Sequence, residues 1–144
     1  MVNDRAPGVR LVVSLYREFE QVAKRGNLSM AQYRTLLFLR NGSRRASELA
    51  TAGGVTKPTV SAMLNGLRQE GWVTETGDAG DGRVTRIELT EAGRARLERF
   101  EDELGARMEE LLPGVDKRTL RRSLGELARA HATTRDQRLG SGGT

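Results

Sequence analysis

The 144-residue sequence contains no cysteine. Disulfides, thiolate zinc sites, cysteine nucleophiles and thiol-based redox sensing are therefore excluded. It has one histidine, His131, and nothing in the sequence pairs with it as a metal-ligand or acid–base set. Aromatic residues make up 4% of the chain and hydrophobic residues 37%, so one compact core is affordable but not a thick one. No apolar run approaches the length of a membrane span. The N-terminal MVNDRAPG lacks a basic-then-apolar signal pattern, so a cytoplasmic protein is expected. There is no phosphate-binding loop and no GxSxG nucleophile motif. The acids of Glu101-Asp102-Glu103 and Glu109-Glu110 read as solvated helix faces. Catalysis thus has little support, and neither cofactor nor metal is expected.

What the chain does have is positive charge. Its 24 cations face 19 acids, for a net charge of +5, with a sequence pI near 10.4. That balance favours an acidic partner such as nucleic acid or an anionic membrane. Arg34, Arg40, Arg44 and Arg45 all precede the first acid of the middle region, Glu48, and form its densest positive stretch.

The chain is organised around Val55–Gly71, VTKPTVSAMLNGLRQEG. Thr56 suits an N-cap, Pro58 the first turn, and Gly71 the position after the helix end. Val60, Met63, Leu64 and Leu67 recur at helical spacing and predict one buried face. The other face carries Lys57, Thr59, Ser61, Ala62, Asn65 and Arg68. Short hydrogen-bonding side chains between two cations suit a groove that displays base edges between phosphates. Asn65 matches the donor–acceptor edge of adenine and Ala62 a thymine methyl, while Thr56 and nearby backbone N–H groups suit phosphate. An ordinary solvated helix face is the competing reading.

Upstream, residues 1–8 read as a frayed tail and Val9–Arg25 as a helix with Leu11, Leu15, Phe19 and Val22 along one stripe. Ser29 opens a second helix through a capping box with Gln32, running to about Arg40. A short helix over Ala46–Ala52 and a Gly53–Gly54 turn lead into the central helix, which is the helix-turn-helix pattern. Downstream, Trp72–Thr76 and Thr85–Leu89 predict two strands. Ile87 and Leu89 share one face of the second, Arg86 and Glu88 the other. The intervening GDAGDGRV predicts a long, mobile hairpin tip bearing Arg83, so the hairpin is a wing. Arg83 suits a narrow minor groove, where negative potential attracts arginine. Arg44 and Arg45 suit phosphate equally well as they suit bare exposure. Thr90 and Asp116 cap two last helices, and residues beyond about Asp136 read as a polar tail. The fold expected is mainly α with a small β-hairpin wing. Phe19 and Phe38 are expected in the core, whereas Tyr16 and Tyr33 carry hydroxyls that suit a ligand anion and a satisfied core tyrosine equally well.

LAxxxGVTKPTVSxxLxxLxxEGWV over Leu49–Val73, DAGDGR over Asp78–Arg83 and LTEAG over Leu89–Gly93 together resemble the MarR family of winged-helix transcriptional regulators. The resemblance covers nearly the whole chain. It implies a winged helix-turn-helix over 28–90 and helical dimerisation regions over 1–27 and 91–144. It implies a homodimer that reads a pseudo-palindrome in double-stranded DNA, commonly as a repressor. It also implies release by a small ligand, often an aromatic or phenolic acid, with no role at a membrane. The sequence departs from the family at Gly53, where an apolar residue is usual, and at Gly82, where the wing usually carries a second arginine. On this reading Arg44, Arg45, Thr56, Lys57, Thr59, Ser61, Ala62, Asn65, Arg68, Arg83 and Arg86 meet DNA, and Tyr16 and Tyr33 meet the ligand. The alternative is a small-molecule binding protein of the same fold that lacks specific operator recognition.

Overall fold

Local signals start most of the helices. In the computed structural model, which describes residues 4–78 and 80–140 and all their side chains except those of 78, 81–83 and 135–140, helix α1 covers Ala6–Arg25 and α2 covers Met30–Leu39. Pro7 occupies the first turn of α1, so the helix begins within the stretch expected to fray. Ser29 and Gln32 form the expected capping box: Ser29 Oγ accepts from the Gln32 N–H at 3.0 Å, and Gln32 Oε1 accepts from the Ser29 N–H at 2.9 Å. Helices α3 (Ala46–Gly53) and α4 (Lys57–Gln69) follow. Gly54 lies between them at φ +62°, in the left-handed region that glycine enters without steric cost. Thr56 caps α4 by accepting from the Thr59 N–H at 3.4 Å.

The sheet is larger than the sequence suggests. A two-residue strand β1, Arg44–Arg45, joins β2 (Val73–Asp78) and β3 (Asp81–Leu89) in the antiparallel order β1-β3-β2. Arg44 pairs with Ile87 and Arg45 with Arg86. The hairpin also extends well into the segment expected to be a loose tip. Gly77 pairs with Thr85 and Asp78 with Asp81, across a register shift. Backbone pairing overrides the loop-like Gly and Asp composition there, because a ladder rewards main-chain groups whatever side chains they bear.

Helix α5 covers Glu91–Leu111 and α6 covers Lys117–Gly140, so α6 continues past Asp136, where a tail was expected. Thr90 Oγ1 accepts from the Gly93 N–H at 3.0 Å and starts α5. Asp116 Oδ2 accepts from the Thr119 N–H at 2.9 Å and starts α6; these bonds hold its carboxyl below the usual carboxylate range.

The chain divides into two compact units, Met1–Gly105 and Ala106–Thr144. The first holds one core, which includes Ala23 of α1, Leu36 and Leu39 of α2, Val60, Leu64 and Leu67 of α4, Ile87 of β3 and Phe100 of α5. The end of α1 and the first half of α5 thus share a core with the helix-turn-helix and the hairpin. In the second unit Glu109 ion-pairs with Lys117 and Arg121. Phe38 departs from expectation. It is exposed, and the Arg44 guanidinium lies 5.2 Å above its ring instead of core side chains.

Candidate nucleic-acid interface

Helix α4 buries Val60, Leu64 and Leu67 and thereby points its opposite face to solvent. Lys57, Thr59, Ser61, Ala62 and Asn65 are all exposed on that face. None is acidic. The hydroxyls of Thr56 and Thr59 share a hydrogen bond at 2.9 Å at the N-terminal end, where free backbone N–H groups and the helix dipole favour an anion. Lys57 and Ser61, with Ala46, Ser47 and Val60, line a small cleft of about 230 Å³ between the starts of α3 and α4.

The arginines around this face are more engaged than their charge alone suggests. Arg68 ion-pairs with Glu75 of β2 and donates from Nη2 to Asn65 Oδ1 at 2.8 Å. Arg86 is half-buried and donates to Ser43 Oγ at 2.8 Å and to the Ser43 carbonyl at 2.9 Å. It ties β3 to the segment before β1. Arg44 stacks on Phe38 and donates to the Ser43 carbonyl at 3.1 Å. Arg45 is exposed, and its backbone N–H donates to Glu48 Oε2 at 3.3 Å. The Arg83 side chain lies outside the described residues.

The two tyrosines part company. Tyr16 is 47% exposed and lines an open cleft of about 880 Å³ with Glu20 and Lys24 of α1, Ser29 and Gln32 at the head of α2, and Gln69 near the end of α4. Tyr33 does not line it. Its hydroxyl donates to Glu101 Oε1 at 3.2 Å, and its ring packs edge-to-face with Phe100, centroids 5.2 Å apart. Burial, with the Glu101 carboxylate beside it, pushes the Tyr33 hydroxyl up to about 12.

A raised tyrosine value means the folded state resists forming phenolate. The stability it contributes is complete below the unfolded value near 10 and is lost as pH climbs through 12. Wild type is therefore expected to lose stability relative to Tyr33→Phe between about pH 10 and 12. Denaturant midpoints of both proteins across that range provide the check; parallel curves would refute it.

Among the described residues no group of His, Asp or Glu is arranged to hold a metal, and no helix is long and apolar enough to cross a membrane. The residue at this face that sequence reasoning missed is Glu75, which ion-pairs with Arg68 of α4. Strand alternation places it on the face of Val73, toward α4, and that is the signal by which it could be found.

Residues 27–84 match the model of the MarR family. The HTH-type transcriptional repressor YetL of Bacillus subtilis (strain 168) is 38% identical over 76 residues, which are 51% of this chain and 46% of YetL. The chain spans about half the length of the curated relatives it matches. A point mutant of S. aureus MepR, solved bound to an oligodeoxyribonucleotide, superposes with a TM-score of 0.67 at 19% identity, covering 93% of this chain and 99% of that one. NadR, solved in complex with 4-hydroxyphenylacetate, superposes with a TM-score of 0.61 at 19% identity, covering 90% and 93%. These structural likenesses concern the fold.

Proposed function

This chain belongs to the MarR family of winged-helix proteins through residues 27–84, and from that premise we propose that it is a sequence-specific DNA-binding regulator, a homodimeric repressor without enzymatic activity that works in the cytoplasm. The observation that carries the reading is the outer face of α4. It is exposed, acid-free and rich in short hydrogen-bonding groups, and it stands on a helix anchored in the core by its other side. Phosphate contacts fix register, and base-edge contacts specify sequence. Thr56, Lys57 and Arg45 serve the first role, with Arg83 on the wing; Thr59, Ser61, Ala62 and Asn65 serve the second. The fold relative MepR was solved with an oligodeoxyribonucleotide, which supports the same role here.

Dimerisation follows from unsatisfied apolar surface. Val9, Val12 and Val13 of α1 are 62%, 67% and 58% exposed, and Leu127 of α6 is 66% exposed. A second copy covering these helices would remove that surface from water. It would also set two recognition helices about 34–36 Å apart, one helical turn of DNA. The effector is a small aromatic or phenolic acid held in the Tyr16 cleft, where the Lys24 ammonium would meet its anion. NadR, with its bound 4-hydroxyphenylacetate, supports that chemistry. Release follows if the ligand favours a dimer geometry that no longer fits the operator spacing.

A second reading, ligand binding without operator recognition, is favoured by one observation: the guanidinium groups of Arg44, Arg68 and Arg86 all have partners within the chain. Fluorescence anisotropy separates the two. Duplex flanking the protein's own gene is titrated against random duplex at two salt concentrations. A preference for the flanking duplex that persists at high salt is expected. Weak, equal binding that vanishes with salt would overturn operator recognition and leave the ligand-binding reading.

A further inference from the structure

Strand β2 alternates, so Glu75 faces the same side as the buried Val73 and looks toward α4. Opposite it in the ladder stands Ile87, which is fully buried. Glu75 itself lies at the exposed margin of that face, its side chain 37% exposed, and ion-pairs with Arg68. The same guanidinium donates to Asn65 Oδ1 at 2.8 Å. A guanidinium only donates hydrogen bonds. The oxygen of the Asn65 amide must therefore face Arg68, and the two N–H groups of the amide must turn away from it. No hydrogen bond from those N–H groups exists among the described residues, and Asn65 is exposed.

We propose that Glu75 is a specificity-determining residue of the DNA interface: it withholds Arg68 from phosphate and makes it the positioning group that presents the Asn65 N–H groups to a base-edge acceptor. This rests on the DNA-binding reading above. Base-edge acceptors in the major groove are guanine N7 and O6, adenine N7 and thymine O4. A cation left free at this position would instead gain from any phosphate within reach, raising affinity for all sequences alike. The carboxylate converts a non-specific contact into an orienting one. It is a positioning residue, since it touches Arg68 and not the DNA.

Glu75→Thr removes the carboxylate and keeps a strand-forming residue. Glu88→Thr removes an exposed acid from the other face of the same hairpin, as a control for bulk charge. The expected result is that Glu75→Thr steepens the salt dependence of binding to random duplex by about one unit and lowers preference for the flanking duplex, while Glu88→Thr does neither. Asn65→Asp keeps a partner for Arg68 but loses the N–H donors, and is expected to lose preference with no change of slope. A slope for Glu75→Thr equal to that of wild type, or a rise shared by Glu88→Thr, would overturn the assignment while wild type still bound operator. Wild type without salt-dependent duplex binding would overturn the DNA-binding reading itself, and this one with it. Misfolding lowers affinity and does not steepen the slope of random binding, so a positive result is not mimicked by loss of structure.

Discussion

Gly93→Ala is expected to cost about 3 kcal/mol of folding stability, the upper end of what inserting one carbon into a packed site commonly costs. A Cβ on Gly93 would overlap the Trp72 carbonyl oxygen and stand 2.8 Å from Leu89 Cδ1. The leucine could turn aside. The carbonyl cannot, because it accepts from the Thr90 N–H at 3.0 Å, while Thr90 Oγ1 holds the neighbouring Gly71 carbonyl at 2.6 Å. The root of the hairpin and the first turn of α5 are thus bolted together through main-chain groups, with Gly93 in the gap. Relief requires moving α5 off the hairpin and breaking those bonds. Urea unfolding of the variant beside wild type measures the loss, and a midpoint unchanged within error would show that the junction yields. A loss of DNA binding disproportionate to the loss of stability would further tie the junction to the placing of the wing.

The second large effect is expected at Arg96. Its side chain is 10% exposed, in a position where arginine is rarely found without a partner. The guanidinium lies 5.7 Å from the Trp72 ring centroid and 5.4 Å from that of Phe100. Nη2 donates to the Gly26 carbonyl at the end of α1 at 2.9 Å. Nη1 is buried without a hydrogen bond, with Glu103 Oε1 at 3.7 Å. One side chain therefore joins α1, the hairpin root and α5. Arg96→Ala removes two ring contacts, one charge-assisted hydrogen bond and the packed stem. It is expected to cost about 3 kcal/mol, since such ring contacts and bonds are each worth roughly 1–2 kcal/mol when desolvated. Arg96→Met keeps most of the volume and discards the unsatisfied Nη1, so it is expected to cost about half as much. Thermal and urea unfolding of the two variants provide the comparison. Equal losses would mean that charge, not packing, holds the site.

The parts legible in the sequence are those whose physics is local. Ser29 with Gln32, Thr56 with Pro58, and Thr90 and Asp116 each announce a helix start within four residues, and each start lies where that local signal puts it. The buried face of α4 is legible from its spacing, and the outer face follows. What escapes depends on partners distant in sequence. Arg44–Arg45 has neither apolar alternation nor length, and is a strand only because β3 lies beside it. Nothing local marks Arg96, around which two aromatic rings distant in sequence from each other, Trp72 and Phe100, close. Phe38 reads as core, yet its cover is an arginine. On the candidate interface, helical spacing puts Arg68 correctly on the outer face of α4. Helical spacing is silent about Glu75, which reaches Arg68 only through the turn into β2.

The pairing of β1 with β3 encloses α3, α4 and β2 within one loop of chain. Closing such a loop has an entropy cost that grows with its length, and a ladder of two residue pairs returns little against it. The backbone amides of β1 are therefore expected to exchange faster than those of the longer β2–β3 ladder. The grip of Arg86 on Ser43 adds two side-chain hydrogen bonds to that short ladder and acts as its latch. Helix α4 is anchored through Val60, Leu64 and Leu67, so an opening of β1 is expected to leave it in place.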